Sequence, residues 1–174
     1  ASPASMKIAD HFAKAERMLD FFHASEHAFD THDTDFFVTS QFLVTVHDGK
    51  RRSIAHVADL CGKSGHILAE GPMALMHRIM DTMVGHYLPE VDELETWLDD
   101  LERQVLESPR QGLTSDILAV KRDITGLRRI VVPQRDVLGR LSRREFDLIG
   151  QEVAYRFRDV YDQLVRLADD AIIF

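Results

Sequence analysis

This chain has one cysteine and an excess of acidic over basic side chains, and both features restrict its class. Cys61 cannot form a disulfide within the chain, so the fold depends on packing and suits a reducing compartment. We expect Cys61 to be a small, half-buried apolar residue. The 21 lysines and arginines against 29 aspartates and glutamates give a net charge of −8. Nucleic-acid binders carry a basic face, so the acidity argues against a nucleic-acid partner.

The sequence also lacks a long apolar run and the common motifs of enzymes. The longest uncharged run, from Phe36 to Val46, is about half of the ~20 residues that a membrane-spanning helix needs. No signal peptide, phosphate-binding or dinucleotide-binding glycine loop, or Gly-x-Ser-x-Gly nucleophile motif is visible. Cys61 has no candidate base beside it in the sequence. We therefore expect no membrane span within these residues and no enzyme activity.

The C-terminal half contains a seven-residue apolar repeat in two long stretches. Apolar residues at alternating steps of four and three keep one stripe of a helix facing a partner. The first arm carries Met80, Val84, Tyr87, Val91, Leu94, Leu98, Leu101 and Val105, and the second arm carries Ile117, Val120, Ile124, Leu127, Val131, Leu138 and Leu141. Only Gln134 interrupts the second arm. The short break from Glu107 to Asp116 predicts that the arms fold back as an antiparallel pair.

The N-terminal part predicts a small mixed α/β region. Asp35–Thr39 and Phe42–Val46 are rich in β-branched and aromatic residues, and two residues between them predict a hairpin turn. Ser53 is expected to cap a helix over Ile54–Cys61. Residues 5–22 fit either a helix or, in part, a strand, because short apolar runs do not separate the two.

Three prolines set the expected course of the long helices. Pro72 follows a glycine and opens the first arm at a position where it needs no amide partner. Pro89 and Pro133 lie inside the arms, and the unbroken repeat predicts that each arm bends there and continues. A final helix carries Val153, Phe157, Val160, Leu164, Leu167 and Ala171. We expect an α+β fold with an α/β region over residues 1–69 (helix, strand hairpin, helix) and a long-helix region over residues 70–174.

Acidic side chains crowd the first arm and have two interpretations. They are Glu90, Asp92, Glu93, Glu95, Asp99, Asp100, Glu102 and Glu107. The simpler interpretation is a solvated face opposite the apolar stripe. The other is a loose reservoir for hydrated cations, since Mg²⁺ often keeps its waters and touches only one or two carboxylates. The sequence alone leaves both open.

Histidines near the predicted hairpin form a second candidate site. His23, His27 and His32 lie close in the sequence to Asp30, Asp33 and Asp35. These residue types bind borderline transition metals, and a small metallohydrolase is one hypothesis. No four-ligand Cys/His spacing appears, so polar strand edges are the simpler interpretation.

Several blocks of the C-terminal half resemble the CorA family of divalent-cation transporters for magnesium and cobalt, which has a zinc-transporting branch. The blocks are Ile79–Pro89, Leu106–Pro109, Leu118–Asp123, Val132–Leu138 and Tyr155–Asp162. Upstream, Asp35–Val38 followed by Phe42–His47 is similar to the family's central strand pair. The resemblance covers roughly residues 14–174, and its most specific part is the Arg158–Asp162 block.

The resemblance implies a fold and an assembly. Family members have a cytoplasmic α/β/α domain with a mixed sheet, two long antiparallel helices, and a stalk helix that runs into the membrane. They are homo-pentamers of the inner (plasma) membrane, and a Gly-Met-Asn motif at the pore mouth selects the ion. This chain ends before that motif and before either membrane helix. By resemblance it is therefore the cytoplasmic regulatory domain, which includes the start of the stalk helix and meets the membrane through helices outside this chain.

The resemblance also implies a regulatory metal site. In the family, divalent ions between neighbouring subunits hold the pore closed, which implies Asp159 and Asp81 as ligands. Asp162, in the same block as Asp159, joins them as a candidate. The ion is Mg²⁺, with Co²⁺ or Zn²⁺ as alternatives. Gln163 stands where some members carry a histidine, and Gly85 stands where an acid is found.

Two other interpretations stand beside metal sensing. Asp159 could instead pair with Arg156 or Arg158, and Asp81 could be an ordinary surface acid. A soluble helical protein-interaction module without a transport role, docking its arms on partner helices, is the alternative function.

Overall fold

The computed structural model describes residues 16–20, 34–47, 51–107 and 110–173. Within these residues the elements are, in chain order, strands β1 (Glu16–Asp20), β2 (Thr34–Val38) and β3 (Leu43–His47) and helices α1 (Arg52–Lys63), α2 (Gly65–Ala69), α3 (Pro72–Gly85), α4 (Tyr87–Glu107), α5 (Leu113–Ser142) and α6 (Gln151–Ile173). The α+β class predicted from the sequence is confirmed. None of the described helices combines the length and the apolar character needed to cross a bilayer.

The strands form an antiparallel sheet in the order β1-β2-β3. The register of β2 and β3 runs from Thr34 opposite His47 to Val38 opposite Leu43, which confirms the predicted hairpin. Thr39 holds the turn, because its Oγ1 accepts hydrogen bonds from the amides of Gln41 and Phe42 at 3.2 and 3.1 Å. No parallel pair joins β1, β2 and β3, so these three strands do not form the mixed sheet that the resemblance implied.

The N-terminal segment that fitted either a helix or a strand is a strand where it is described. β1 begins at Glu16 and pairs with β2, with Glu16 opposite Val38. The helical alternative is therefore wrong for residues 16–20. The helix predicted upstream of them lies outside the described residues.

The predicted helix α1 is present, but its predicted cap is wrong. Arg51 occupies the N-cap position, and Ser53 is buried inside the first turn. The Ser53 hydroxyl lies 3.1 Å from Nδ1 of His86, so it serves a tertiary contact rather than the helix start. Cys61 is half-buried against the core, as expected.

The first arm consists of two helices rather than one bent helix. α3 begins at Pro72, as predicted, after Gly71 with a φ of 92°, a conformation that favours glycine. The helix is interrupted at His86, three residues before Pro89. Pro89 has no amide hydrogen to donate to the Gly85 carbonyl four residues earlier, which weakens the helix at that turn. The prediction of a continuous bent helix was therefore wrong at Pro89. At Pro133 the predicted continuation is confirmed, because this residue lies inside the uninterrupted helix α5.

Helix α5 lies between α4 and α6, and α3 packs on α6. α4 returns along α5 as an antiparallel pair, as predicted, and α6 makes the most extensive helix contact with α5 and also packs on α3. Most of the predicted apolar stripe is buried in both arms. Val105 and Ile117, at the far tip of the pair, are 45% and 43% exposed, so the stripe lacks cover there among the described residues.

Gln134, which interrupts the apolar repeat of the second arm, is buried at 1% exposure. Its Nε2 donates a hydrogen bond of 3.0 Å to the Tyr87 hydroxyl at the start of α4. Tyr87 is itself buried in the stripe of the first arm, and burial raises the pKa of its phenol. The interruption in the repeat is therefore a polar contact between the arms rather than an exposed face.

We expect Tyr87→Phe to destabilise the fold by about 1–3 kcal/mol, because the buried Gln134 amide loses an acceptor. The double variant Tyr87→Phe/Gln134→Leu should recover much of that loss, since neither residue of the pair then keeps a polar side chain. Urea unfolding of the three proteins measures this. A double variant less stable than Tyr87→Phe would contradict the assignment.

Gly139 allows α5 and α6 to approach closely. A Cβ at this position would lie 3.2 Å from Cε2 of Tyr161 on α6 and 3.1 Å from an Nη atom of Arg143. Gly126, on the same helix, has open space where its Cβ would be.

We expect Gly139→Ala and Gly126→Ala to have opposite effects on stability. Alanine favours a helix over glycine by about 1 kcal/mol, so Gly126→Ala should raise the melting temperature. Gly139→Ala should lower it, because the Tyr161 ring must shift from its packed position. Thermal unfolding checks both, and an equal rise for the two variants would show that the helices are not in close contact at Gly139.

Candidate metal site on helices α3 and α6

Helices α3 and α6 are joined through His77 and the turn of α6 that contains Arg156. Nε2 of His77 donates a 3.1 Å hydrogen bond to the Arg156 carbonyl, so this nitrogen carries the ring proton. The ring meets Phe157 edge-on, with centroids 5.3 Å apart. Burial lowers the pKa of His77, and the Asp81 carboxylate opposes that shift. The neutral imidazole thus fixes one helix against the other.

Glu70 adds a charged clamp at the same junction. It lies between α2 and α3 and is only 15% exposed. Its Oε1 accepts a hydrogen bond from Arg78 of α3, and its Oε2 accepts one from Arg156 of α6 at 2.6 Å. Arg156 also donates to Glu152, one turn earlier on α6, at 2.7 Å. One carboxylate therefore holds two guanidinium groups from two helices.

The three predicted metal ligands lie on these two helices, and all are exposed. Asp81 follows Arg78 by three residues on α3, and Asp159 follows Arg156 by three residues on α6. Among the residues that the structure describes, neither aspartate forms an ion pair or a hydrogen bond. Asp162 has arginines four residues to either side and pairs with neither in that part of the chain.

The interpretation that Asp159 pairs with Arg156 or Arg158 does not fit this arrangement. Arg156 is engaged by Glu70 and Glu152, and Asp159 forms no hydrogen bond or ion pair with any described residue. Its carboxylate is therefore free to bind a cation from outside the chain.

One copy of the chain does not assemble a complete metal site from its described residues. No group of three histidine, cysteine, aspartate or glutamate side chains in that part lies close enough to hold an ion. Exposed carboxylates nevertheless suit Mg²⁺, which is often bound by one or two carboxylates and several retained waters.

The other sequence candidates are placed only in part. The acids of α4 are exposed, apart from the half-buried Asp100, which agrees with the solvated-face interpretation. The His23, His27 and His32 cluster lies outside the described residues. Asp35 is described, and it is buried in β2 opposite Val46.

Sequence reasoning missed the groups that surround the candidate ligands. Glu70, His77 and Arg78 belong to no motif. Glu70 and His77 meet Arg156 only through the packing of α3 on α6, and Arg78 joins them by donating to Glu70. The one sequence feature that could have pointed to Glu70 was its position directly before Gly71 and Pro72, where α3 begins.

We expect the contribution of Glu70 to stability to be lost in acid. Arg156 and then Arg78 hold the pKa of Glu70 below its usual 4.5. The clamp is therefore fully present above pH 4.5 and is lost as the pH falls through the lower folded-state pKa. At pH 7, Glu70→Gln should lower the melting temperature by about 3–6 °C, and the gap from wild type should narrow below pH 4.5. Glu93→Gln, an exposed control on α4, should show no such gap, and a gap for Glu70→Gln that stays constant with pH would contradict the clamp.

Comparison with known protein families gives one description for nearly the whole chain. The family model described as CorA-like Mg2+ transporter protein matches residues 18–174.

Three curated relatives have transporter names. The putative metal ion transporter YfjQ of Bacillus subtilis (strain 168) is 30% identical over 140 residues, which cover 80% of this chain and 44% of that protein. The cobalt/magnesium transport protein CorA of Thermotoga maritima is 33% identical over 100 residues, covering 58% of this chain and 28% of that protein. The zinc transport protein ZntB of Photorhabdus laumondii is 29% identical over 140 residues, covering 77% and 40%. This chain spans less than half the length of each.

A solved structure has the same fold. The soluble domain of CorA from Methanocaldococcus jannaschii matches with a TM-score of 0.73 and 20% identity, covering 87% of this chain and 62% of that chain. At this identity the likeness concerns the fold alone.

Proposed function

This chain belongs to the CorA-like Mg2+ transporter protein family, and we propose from this premise that it is the cytoplasmic regulatory domain of a divalent-cation transporter. In this proposal it senses intracellular divalent cations and gates a pore formed by other parts of the protein, and it is not an enzyme. The supporting observation is a pair of exposed aspartates, Asp81 and Asp159, that pair with no described residue and lie on two helices joined by hydrogen bonds through His77, Glu70 and Arg156.

The proposed mechanism is a cation bridge between neighbouring copies. Asp159 of one copy and Asp81 of the next bind one hydrated dication, and Asp162 adds an oxygen ligand or holds a bound water. When the ion leaves, like charges face each other and the copies separate, because repulsion replaces attraction at short range. The ion favours the bridged assembly because it binds that state better than the separated one. Loss of the bridge signals a low ion concentration to the pore.

The chemistry of the donors favours Mg²⁺ over Zn²⁺ as the sensed ion. All three candidate ligands are carboxylates, the oxygen donors that Mg²⁺ takes, whereas Zn²⁺ is bound mainly by cysteine and histidine. Gln163 supplies no imidazole one turn after Asp159. Relatives are named for cobalt and magnesium and for zinc, so Co²⁺ and Zn²⁺ stay as alternatives.

The proposed setting is a homo-pentamer on the cytoplasmic side of the inner (plasma) membrane. Neighbouring identical subunits are the partners, since one copy offers too few ligands. In this proposal, membrane attachment comes from helices outside this chain, in keeping with its membership of a transporter family.

The alternative of a protein-interaction module has one observation in its favour. The tip of the α4–α5 pair exposes Leu106 and Leu118, at 84% and 54%, beside Val105 and Ile117. An apolar tip fits a protein contact, but such a contact is compatible with a place in a transporter. Family membership therefore favours the regulatory domain.

We expect Mg²⁺ to stabilise and associate this chain through Asp159. With ionic strength held constant by KCl, Mg²⁺ at ~10 times its dissociation constant should add about 1.4 kcal/mol, which is about 3–5 °C in melting temperature. Sedimentation velocity on the same samples should show a larger species. Asp159→Asn should lose both responses, because it removes a charged ligand.

Asp169→Asn is the matched control, since Asp169 is another exposed acid of α6 that lies outside the candidate site. It should respond to Mg²⁺ as wild type does. The proposal fails if wild type does not respond, or if Asp159→Asn and Asp169→Asn respond equally.

A further inference from the structure

We propose that Glu70 is a positioning residue for the candidate metal site, holding the side chains of Arg78 and Arg156 away from Asp81 and Asp159. This inference rests on the proposed function, because it concerns how the same two aspartates stay available to a dication. It adds a requirement that the aspartates alone do not reveal, namely that Arg78 and Arg156 must be bound by another carboxylate.

The placement of the two arginines relative to the aspartates is the first observation. Arg78 precedes Asp81 by three residues on α3, and Arg156 precedes Asp159 by three residues on α6. Residues three apart on a helix are surface neighbours, and an arginine at this spacing can pair with an aspartate. Both aspartates therefore have an intrahelical partner within reach, yet neither forms that pair among the described residues.

The second observation is what the arginines do instead. Both donate to the same carboxylate, Arg78 to Oε1 of Glu70 and Arg156 to Oε2. Glu70 is largely buried, whereas both aspartates are exposed. Charge-assisted hydrogen bonds to a shielded carboxylate are stronger than ion pairs screened by solvent. Both guanidinium groups therefore bind Glu70 in preference to the exposed aspartates.

The consequence of losing Glu70 follows from the local charge. Glu70, Arg78, Arg156, Asp81 and Asp159 together carry a net charge of −1, and neutralising Glu70 changes it to zero. The released arginines then reach the aspartates and neutralise them. The less negative local charge weakens the attraction for a dication, and the released arginines compete with the dication for the aspartates.

Glu145 provides a matched control. It also accepts hydrogen bonds from two arginines, Arg140 and Arg143. Glu145 lies in the loop between α5 and α6, and neither of its arginines lies three residues before Asp81 or Asp159. Glu145→Gln changes the net charge by the same amount as Glu70→Gln. An effect of overall net charge, or of losing any carboxylate that accepts hydrogen bonds from two arginines, therefore appears in both variants.

The metal test compares the Mg²⁺ concentration for half-maximal thermal stabilisation at constant ionic strength. Glu70→Gln should raise this concentration about three- to tenfold relative to wild type, and Glu145→Gln should leave it within about twofold. The double variant Arg78→Gln/Arg156→Gln breaks the same clamp but removes the competing cations. It should bind Mg²⁺ at least as well as wild type.

The double variant separates positioning from structural support. If Glu70 acted only by supporting the fold, the double variant would lose Mg²⁺ binding together with Glu70→Gln. That result, or an unchanged Mg²⁺ response in Glu70→Gln, would overturn the inference. Should Glu70→Gln fail to fold, as judged by circular dichroism, the double variant alone decides, since tight Mg²⁺ binding supports the inference and its loss contradicts it.

A metal-free measurement distinguishes failure of this inference from failure of the proposed function. Without Mg²⁺, Asp159→Asn should leave the melting temperature of wild type unchanged but lower that of Glu70→Gln by about 1–3 °C, because only there does Arg156 pair with Asp159. A Mg²⁺-insensitive wild type with this coupling would refute the sensing role and leave the arginine competition standing. Absence of the coupling would refute the competition even if Mg²⁺ binds.

Discussion

The long-helix region depends on the burial of α5 from two directions. Its predicted stripe packs against α4, and Ile130 and Val137, which lie outside that stripe, are buried as well. α6 accounts for the second buried side, and its close approach to α5 is made possible by Gly139. Because α6 also packs on α3, the helix with Asp159 and the helix with Asp81 are fixed relative to each other through the same core. The candidate site therefore depends on hydrophobic packing that contains none of its ligands.

The sequence predicted those parts of the fold that repeat locally. The hairpin of β2 and β3, the start of α3 at Pro72 and the antiparallel arms each follow from residues close together in the chain. Two other features of the fold were decided by distant residues. Ser53 does not cap α1, because its hydroxyl meets His86, and Gln134 is buried despite being polar, because Tyr87 faces it. No local sequence pattern indicates that Ser53 contacts His86 or that Gln134 contacts Tyr87.

The candidate site shows the same division. Asp81, Asp159 and Asp162 were identified by resemblance, and the structure adds that they are exposed and on helices joined by packing. The clamp at Glu70 was not predictable, because it joins residues 70, 78 and 156 through tertiary contacts alone. Spacing could show that Asp81 and Asp159 each follow an arginine by three residues, but only the tertiary structure shows which carboxylate the arginine binds. The electrostatic state of the site was therefore outside the reach of sequence reasoning, although its ligands were not.

Trp97 is the only tryptophan of the chain, and it lies on α4, the helix whose far end forms the exposed tip with α5. Its side chain is partly exposed. It lies on neither of the two helices, α3 and α6, that contain the candidate ligands. Intrinsic fluorescence therefore reports on the arm alone, without interference from a second indole. A spectral change on adding a cation that disappears when Asp159 is replaced would mean that a disturbance at the aspartates reaches α4, which makes the native chain its own optical sensor of mechanical coupling.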